Sequence, residues 1–288
     1  MPELPEVETV RLQLTHKLRG KTITGVTIYH PKTTAGDTKF AKKVTGQTID
    51  HIDRIGKLLI FCFAEQPNVF MLSHLKMTGQ FFFVDTKGAV IGGGHSMTSG
   101  AGSGFPHKHS RLAIHFGNAG TLYFNDMRLF GYLKIVDDAE LTRVKSKYGP
   151  EPIHTDFDIP QFTVALKKRK TAIKAVLLNQ SFIAGLGNIY VDEALWRAKI
   201  APTRRADKLT DKEAKLLAKS AGDVMNESIK VGGTTFQHFV DSDGNVGNFT
   251  QYLKVFGKQG TPCPRCKTEI IKIRCAGRGT HYCPGCQK

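Results

Sequence analysis

The chain has 288 residues, of which 41 are Lys or Arg and 25 are Asp or Glu, so its net charge is +16 at pH 7. An apolar fraction of 40% is enough to bury a sizeable core and argues against a disordered chain. The basic excess favours a polyanionic partner. No apolar run approaches the roughly 18 residues of a membrane span, so we expect neither a membrane anchor nor a secretory signal.

The chain starts with the sequence MPELPEVE. Removal of Met1 would leave Pro2 with a free secondary amine, and an α-amino group with a reference pKa of about 8 is partly unprotonated at neutral pH. Such an amine can attack a sugar or carbonyl carbon and form an iminium, with Glu3 and Glu6 close enough to transfer protons. The same residues also suit the first turn of a helix. Both interpretations stay open at this point.

Helical periodicity predicts a first helix over residues 5–18. Short alternating or apolar segments then predict strands over 22–29, 47–52, 58–63, 69–75, 80–84, 111–116, 121–126 and 132–136. Together they indicate an antiparallel β-sandwich or barrel flanked by the helix. The glycine-rich segment over about 87–106 should be a long loop with neither a packed element nor a metal site.

After the Pro- and Gly-containing segment 148–153 the pattern becomes helical. We predict helices over 159–169, 172–179, 188–198 and 211–231. The fold class is therefore α+β. The expected domains are a catalytic β-sandwich at 1–150, a helical domain at 151–258 and a β-hairpin ribbon at 259–288.

The last part of the chain contains a C-x2-C-x16-C-x2-C pattern made by Cys263, Cys266, Cys283 and Cys286. Two Cys-x-x-Cys pairs on either side of a short hairpin can present four thiolates tetrahedrally to Zn²⁺. Four protein ligands close the site, so one zinc ion would stabilise the fold and take no part in catalysis. The two other cysteines should be buried as small apolar side chains.

These features together resemble the formamidopyrimidine-DNA glycosylase family, which excises oxidised purines. The resemblance covers nearly the whole chain apart from the glycine-rich segment. It is carried by separated, ordered motifs: PELPEVETV at 2–10, IGK at 55–57, SHLKMTG at 73–79, DMRLFG at 126–131, GLGNIYVDEAL at 185–195 and AGRGTHYCPGCQ at 276–287.

The resemblance implies a bifunctional enzyme, a DNA glycosylase that is also an abasic-site lyase. Its partner would be double-stranded DNA containing oxidised bases such as 8-oxoguanine. It would work as a monomer in the bacterial cytosol, away from membranes. The resemblance also implies a helix–two-turn–helix motif in the helical domain and a zinc ribbon with one structural Zn²⁺.

The same resemblance assigns catalytic roles to five residues. Pro2 would be the nucleophile, and Glu3 the general acid and base that protonates the deoxyribose ring oxygen. Glu6 would support both through hydrogen bonds at the helix start. Lys57 would lie near the phosphates of the lesion, and Arg278 would bridge phosphates there.

Met77, Arg128 and Phe130 match the three residues with which the family fills the space of an extruded base. Without the resemblance, Met77 and Phe130 would be predicted to lie in the core. DNA-phosphate contacts are implied for four further residues, namely His74, His107, Arg169 and Asn188. Asn188 is also expected to cap a helix.

Thr78 departs from the family pattern, because some members carry a glutamate there that can touch the extruded base. Segments 231–239 and 241–247 resemble the loop that closes over that base. Two alternatives stay open. One is an endonuclease VIII-like glycosylase for oxidised pyrimidines, a group that tends to carry its wedge in a single loop. The other is a non-catalytic zinc-ribbon DNA-binding protein.

Overall fold

A computed structural model of the protein describes residues 2–88, 90–94, 104–234 and 249–288. The chain forms two compact units. The first reaches from the chain start to Ser146 and takes in a segment that begins at Val231, and the second comprises Lys147–Lys230 and Thr250–Lys288. Among the described residues, no helix is both long and apolar enough to cross a membrane. The three-domain division expected from the sequence stays a prediction.

The first unit is built mainly of short antiparallel strands. Its helices are α1 (Leu4–Leu18), α2 (Phe40–Val44) and α3 (Asp138–Lys145). Its strands are β1 (Gly25–Ile28), β2 (Ile49–Ile55), β3 (Leu58–Phe63), β4 (Val69–His74), β5 (Gly79–Val84), β6 (Val90–Gly94), β7 (Ser110–His115), β8 (Thr121–Asp126) and β9 (Tyr132–Asp137).

Two antiparallel sheets enclose the core of this unit. One has the strand order β1-β7-β8-β5-β6 and the other β2-β3-β4-β9. Phe81 and Phe124 of the first sheet belong to the same buried cluster as Phe61 of the second and Val7 and Leu14 of α1. The edge-to-face contacts among the three rings add specific geometry to this apolar burial. The predicted sandwich with a flanking helix is confirmed.

The glycine-rich segment differs from its prediction. We expected no packed element there, yet Val90–Gly94 pairs in antiparallel register with β5, with Phe82 opposite Gly92. Strand pairing uses backbone groups that glycine possesses like any other residue, so a low side-chain signal does not prevent it. Residues 89 and 95–103 of the expected loop lie outside the described residues. The helices α2 and α3 were not predicted either, because both are short.

The second unit combines helices with one hairpin. The helices are α4 (Ile159–Lys167), α5 (Ile173–Leu178), α6 (Asn188–Arg197) and α7 (Asp211–Lys230), and the hairpin strands are β10 (Ile271–Cys275) and β11 (Arg278–Tyr282). All four helices were predicted within a few residues. Tyr190 of α6 is completely buried, and its hydroxyl shares a hydrogen bond of 2.6 Å with Ser228 of α7. The predicted α+β class, with helices and a terminal hairpin, is confirmed.

Candidate functional site

The chain start is held in a defined conformation by the first turn of α1. Pro2 and Glu3 are both buried. Glu3 is the N-cap of the helix and forms a capping box with Glu6, in which the Glu3 backbone N–H donates to Glu6 Oε2 at 2.8 Å. A proline followed by two carboxylates is thus fixed at the positive end of a helix, where anions are stabilised.

Glu6 also holds a segment distant in sequence. Its Oε1 accepts hydrogen bonds of 2.7 Å from both the backbone N–H and the hydroxyl of Thr234. A Cβ on Gly233 would lie only 3.1 Å from that oxygen, so a larger residue would crowd the carboxylate. Gly233 also has a φ of +89°, a conformation that favours glycine. The sequence did not reveal Thr234 as a partner of Glu6, since nothing local links residues 228 positions apart. Residues 235–248, most of the expected closing loop, lie outside the described residues.

Lys57 and His74 lie at one end of the four-stranded sheet. Lys57 follows Gly56 in the turn between β2 and β3, and only 5% of its surface is exposed. Leu58, the next residue, is paired with His74 across β3 and β4. A turn lysine is usually solvated, whereas this one is buried among its neighbours.

Burial lowers the pKa of His74 to about 3, with further lowering from the positive charges of Lys76 and Lys57. The imidazole is therefore neutral at physiological pH. Its Nδ1 accepts a hydrogen bond of 3.0 Å from the Lys76 backbone N–H, so the ring proton must reside on Nε2. His74 thus presents an uncharged N–H donor with a fixed orientation.

The three expected wedge residues lie in two turns of the first unit. Met77 is half-buried between β4 and β5, while Arg128 and Phe130 are exposed between β8 and β9. The Arg128 guanidinium carbon lies 4.7 Å from the centre of the Phe130 ring, a cation–π arrangement. A phenylalanine with 48% of its surface exposed is not a core residue.

His107 makes internal contacts through both ring nitrogens. Its Nδ1 accepts from the His109 backbone N–H at 3.1 Å, and its Nε2 lies 3.0 Å from the side-chain amide of Asn125. The Asn125 atom that Nε2 contacts is the amide nitrogen Nδ2, so both ring nitrogens of His107 are engaged within the protein. Contact between His107 Nε2 and a phosphate would therefore replace a bond already present. Burial and the nearby basic groups lower the pKa of His107.

Asn188 occupies a different position from the one predicted. Gly187 is the N-cap of α6, and Asn188 is the first helical residue, so the predicted capping role is wrong. Its side-chain Nδ2 donates instead to the Gly279 carbonyl of the hairpin at 2.9 Å. The Gly187 backbone, free of a Cβ, supplies the extended cap conformation. Asn188 therefore fastens the hairpin next to Arg278.

Arg278 begins β11 and is exposed. The turn before it, Ala276–Gly277, has positive φ at both residues, 52° and 70°, as a two-residue hairpin of type I′ requires. Arg169, just beyond α4, is also exposed, and its guanidinium carbon lies 5.4 Å from the centre of the Phe182 ring. Both cations are thus available to an anionic ligand within the second unit.

The four cysteines of the pattern come together at the hairpin. Their sulfur atoms all lie within 4.8 Å of one another, with Cys263 and Cys286 separated by 3.9 Å and Cys266 and Cys283 by 3.3 Å. Tetrahedral zinc with Zn–S bonds of about 2.3 Å requires S–S separations of about 3.8 Å, so the cluster fits one structural Zn²⁺.

Two side chains outside the cluster approach its sulfurs. The indole N–H of Trp196, on α6, donates to Cys263 Sγ at 3.4 Å. Arg265 lies over the Trp196 ring at 4.1 Å and donates to Cys286 Sγ at 3.6 Å. Burial alone would raise the pKa of the Cys263 thiol, but the indole and backbone hydrogen bonds lower it to about 6. At Cys263 the indole and backbone donors favour the thiolate form that binds metal.

A buried ion pair joins the helices of this unit to the hairpin. Lys174 Nζ lies 2.6 Å from Asp192 Oδ1, with both side chains fully buried. The other carboxylate oxygen of Asp192 accepts from the backbone N–H of His281 at 2.8 Å. The sequence pattern gave no indication of this pair, since a lysine is seldom fully buried.

With this geometry established, comparison with known proteins identifies the family. Three family models match in chain order. They are the N-terminal domain of formamidopyrimidine-DNA glycosylase over residues 1–133, its H2TH domain over 148–240, and a zinc finger found in FPG and IleRS over 260–288. The chain belongs to the formamidopyrimidine-DNA glycosylase family.

Relatives of the family match over the full length. The formamidopyrimidine-DNA glycosylase of Listeria monocytogenes is 39% identical, covering 100% of both chains, and that of Streptococcus pneumoniae is 37% identical, covering 100% of this chain and 99% of its own. A solved structure of a mutant Lactococcus lactis FPG in complex with Fapy-dG-containing DNA has a TM-score of 0.88 and 36% identity, with complete coverage of both chains. The structure of the wild-type L. lactis enzyme in complex with N7-benzyl-Fapy-dG-containing DNA has a TM-score of 0.87 and 37% identity, again with complete coverage of both chains.

Proposed function

We propose that this protein is a bifunctional DNA glycosylase and AP lyase of base excision repair, which removes oxidised purines such as 8-oxoguanine and formamidopyrimidines from duplex DNA. The observation that carries the proposal is the full-length family match of a chain whose first helical turn buries Pro2 and Glu3. Zinc takes no part in the reaction and stabilises the hairpin that bears Arg278.

Removal of Met1 frees the Pro2 nitrogen for attack on C1′ of the damaged nucleotide. The N–C1′ bond forms as the C1′–base bond breaks, and the base departs with the electron pair and takes up a proton. The Pro2 nitrogen loses its own proton. Glu3 then protonates the ring oxygen, and the sugar opens to an iminium.

Strand cleavage follows from the same iminium, which acidifies the C2′ proton. Loss of that proton expels the 3′ phosphate, and a second elimination expels the 5′ phosphate, which leaves a one-nucleotide gap. Hydrolysis of the iminium returns Pro2. Glu6 assists by holding the Glu3 backbone at the N-terminus of α1.

The same proposal assigns the DNA contacts. Lys57 and Arg278 attract the phosphates beside the lesion. The neutral His74 donates a hydrogen bond from its Nε2–H to a phosphate oxygen. Met77, Arg128 and Phe130 occupy the space of the extruded base. The remaining phosphate contacts are those of His107, Arg169 and Asn188. The protein acts as a monomer, and since the matched relatives are bacterial we place it in the bacterial cytosol.

A side-by-side cleavage assay tests the substrate class. Duplexes with 8-oxoguanine opposite cytosine and with thymine glycol are incubated with excess enzyme, and single-turnover rates are compared. We expect faster cleavage of 8-oxoguanine, because the wedge residues come from two separate turns. Faster cleavage of thymine glycol would favour the endonuclease VIII-like alternative, and no cleavage of either would favour a DNA-binding protein.

A further inference from the structure

The wedge residues are divided between two turns that are neighbours in the five-stranded sheet. Met77 lies in the turn that leads into β5, while Arg128 and Phe130 lie in the turn that follows β8. Strands β5 and β8 are paired, with Gly79 opposite Asp126. The two turns therefore leave the same end of one strand pair, and a polar side chain at that end can contact both.

Asp126 is the residue at that end. Its side chain is 1% exposed, and both carboxylate oxygens accept hydrogen bonds. The Thr78 hydroxyl donates to Oδ1, and the Arg128 backbone N–H lies 3.1 Å from the same oxygen. The Gly131 backbone N–H donates to Oδ2 at 2.7 Å. Asp126 therefore fixes both ends of the turn that carries Arg128 and Phe130.

Thr78 connects this turn to the other one. Its single hydroxyl proton goes to Asp126, and its oxygen accepts from the Arg128 backbone N–H at 3.1 Å. Thr78 directly follows Met77 in the chain and is itself buried, at 8% exposure. One hydroxyl thus joins the backbone beside Met77 to the backbone of Arg128.

The surroundings leave little freedom for another arrangement. A Cβ on Gly131 would lie 2.7 Å from Phe124 Cζ and 3.1 Å from Asp126 Oδ2, so a side chain there would displace the carboxylate. Each turn also contains a non-glycine residue in the left-handed region, Lys76 at φ 52° and Leu129 at φ 56°. Such conformations persist only where surrounding contacts fix them.

We infer that Thr78 and Asp126 are positioning residues that couple the two turns, so that Met77, Arg128 and Phe130 enter the DNA helix as one preorganised body. The inference rests on the proposed function. Extrusion of a base must overcome unstacking, and a wedge ordered before it meets DNA does not lose side-chain and loop entropy at that step. Loss of the coupling therefore slows base extrusion and leaves the chemistry at Pro2 unchanged.

The test compares Thr78→Val with Thr78→Ser on two substrates. Valine keeps the shape of threonine and removes the hydroxyl, and serine restores it. Extrusion is followed by stopped-flow fluorescence of 2-aminopurine placed beside 8-oxoguanine in a duplex. Chemistry is followed by cleavage of a single-stranded abasic oligonucleotide, in which no base has to be extruded.

We expect extrusion by the Thr78→Val protein to be about 10-fold slower or more, the change expected for one lost hydrogen bond to a charged group. Cleavage of single-stranded abasic DNA should stay within about twofold of wild type, and Thr78→Ser should recover most of the extrusion rate. Asp126→Asn, which keeps the side-chain volume, should show the same selective defect. Thr27→Val is the matched control, since it removes an exposed hydroxyl hydrogen-bonded to His115 at the far edge of the same sheet.

A wild-type extrusion rate in Thr78→Val would overturn the inference. So would an equal loss on both substrates, because Thr78 would then support the fold in general. Failure of the proposed function looks different, since the wild-type protein itself would then fail to excise 8-oxoguanine from the duplex.

Discussion

His74 shows how the environment of one residue decides its chemistry. Burial beside Lys76 and Lys57 lowers its pKa to about 3, and the Lys76 backbone N–H fixes the tautomer with the proton on Nε2. A cationic histidine would attract phosphates more strongly but would change its charge near neutral pH. A neutral donor would keep the proposed phosphate contact unchanged over the physiological range.

The lowered pKa of His74 predicts a specific pH dependence of stability. The unfolded chain binds a proton at this residue near pH 6.5, whereas the folded chain does so only near pH 3. Stability present above pH 6.5 is therefore lost as the pH falls through this window, by about 1.4 kcal/mol per pH unit at most.

His74→Asn checks this dependence. Asparagine keeps an acceptor for the Lys76 N–H and does not titrate, so urea unfolding of the variant should lose less stability than wild type between about pH 6.5 and pH 4.5. Its affinity for lesion-containing DNA should fall, since the Nε2 donor is gone. Identical pH dependence in the two proteins would contradict the assigned pKa.

At the residue scale, the sequence predicted the candidate site residues better than it predicted their hydrogen-bond partners. The motifs of the chain alone indicated Pro2, Glu3 and Glu6. The partner of Glu6, Thr234, could not be found, because the hydrogen bond joins residues that only the tertiary fold brings together. Asn188 was correctly placed at a helix start but given the wrong partner, since local capping rules carry no information about the hairpin carbonyl beside it.

At the scale of elements, the zinc hairpin depends on its metal. Its apolar cluster consists of Val255, Cys263, Ile270 and Cys283, so two of its four buried members are expected ligands. A core this small cannot order a hairpin alone, and a structural zinc contributes on the order of 10 kcal/mol to folding. The single tryptophan of the chain, Trp196, donates to one of these sulfurs.

Trp196 should therefore report zinc loss. Chelation should shift its emission to longer wavelength as the hairpin opens and the indole enters water, and affinity for DNA should fall in parallel because Arg278 loses its position. Cys266→Ser should show the shifted emission without chelator. Cys62→Ser, which changes a buried cysteine outside the cluster, is the control and should keep both zinc and wild-type emission. Zinc release with unchanged emission would contradict this coupling.

Elements with strong periodicity were predictable, and the exceptions have physical causes. The helices α1, α4, α6 and α7 carry apolar residues at helical spacing, and they appear close to their predicted limits. Strand β6 was missed because Gly92, Gly93 and Gly94 give no alternation of side chains, although their backbone pairs with β5. A pattern of apolar and polar side chains indicates which residues are buried. The position of β6 is determined instead by its backbone pairing with β5.

At the scale of the whole molecule, the net charge of +16 should make the largest contribution to the affinity for DNA. Each phosphate neutralised by a cationic side chain releases counterions, so the logarithm of the affinity falls linearly with the logarithm of salt concentration. For a protein with six such contacts, raising the salt concentration from 50 to 200 mM would lower the affinity for DNA about 1,000-fold.

Fluorescence anisotropy on a duplex carrying an uncleavable abasic analogue measures this slope. Arg169→Ala should reduce the slope by about 0.9, the value for one phosphate contact. Arg143→Ala, on the exposed face of α3 where Arg143 pairs with Glu140, removes the same charge and should leave the slope unchanged. Equal slopes in wild type and Arg169→Ala would remove Arg169 from the interface.

The whole mechanism depends on a covalent bond between the Pro2 nitrogen and DNA. Borohydride trapping on an 8-oxoguanine duplex, followed by peptide mass spectrometry, detects that bond and locates it. We expect one reduced adduct per chain, on Pro2 of a protein that has lost Met1, and strongly slowed base excision by Pro2→Gly at undiminished duplex affinity. An adduct on a lysine, or full cleavage activity in protein that keeps Met1, would contradict the mechanism.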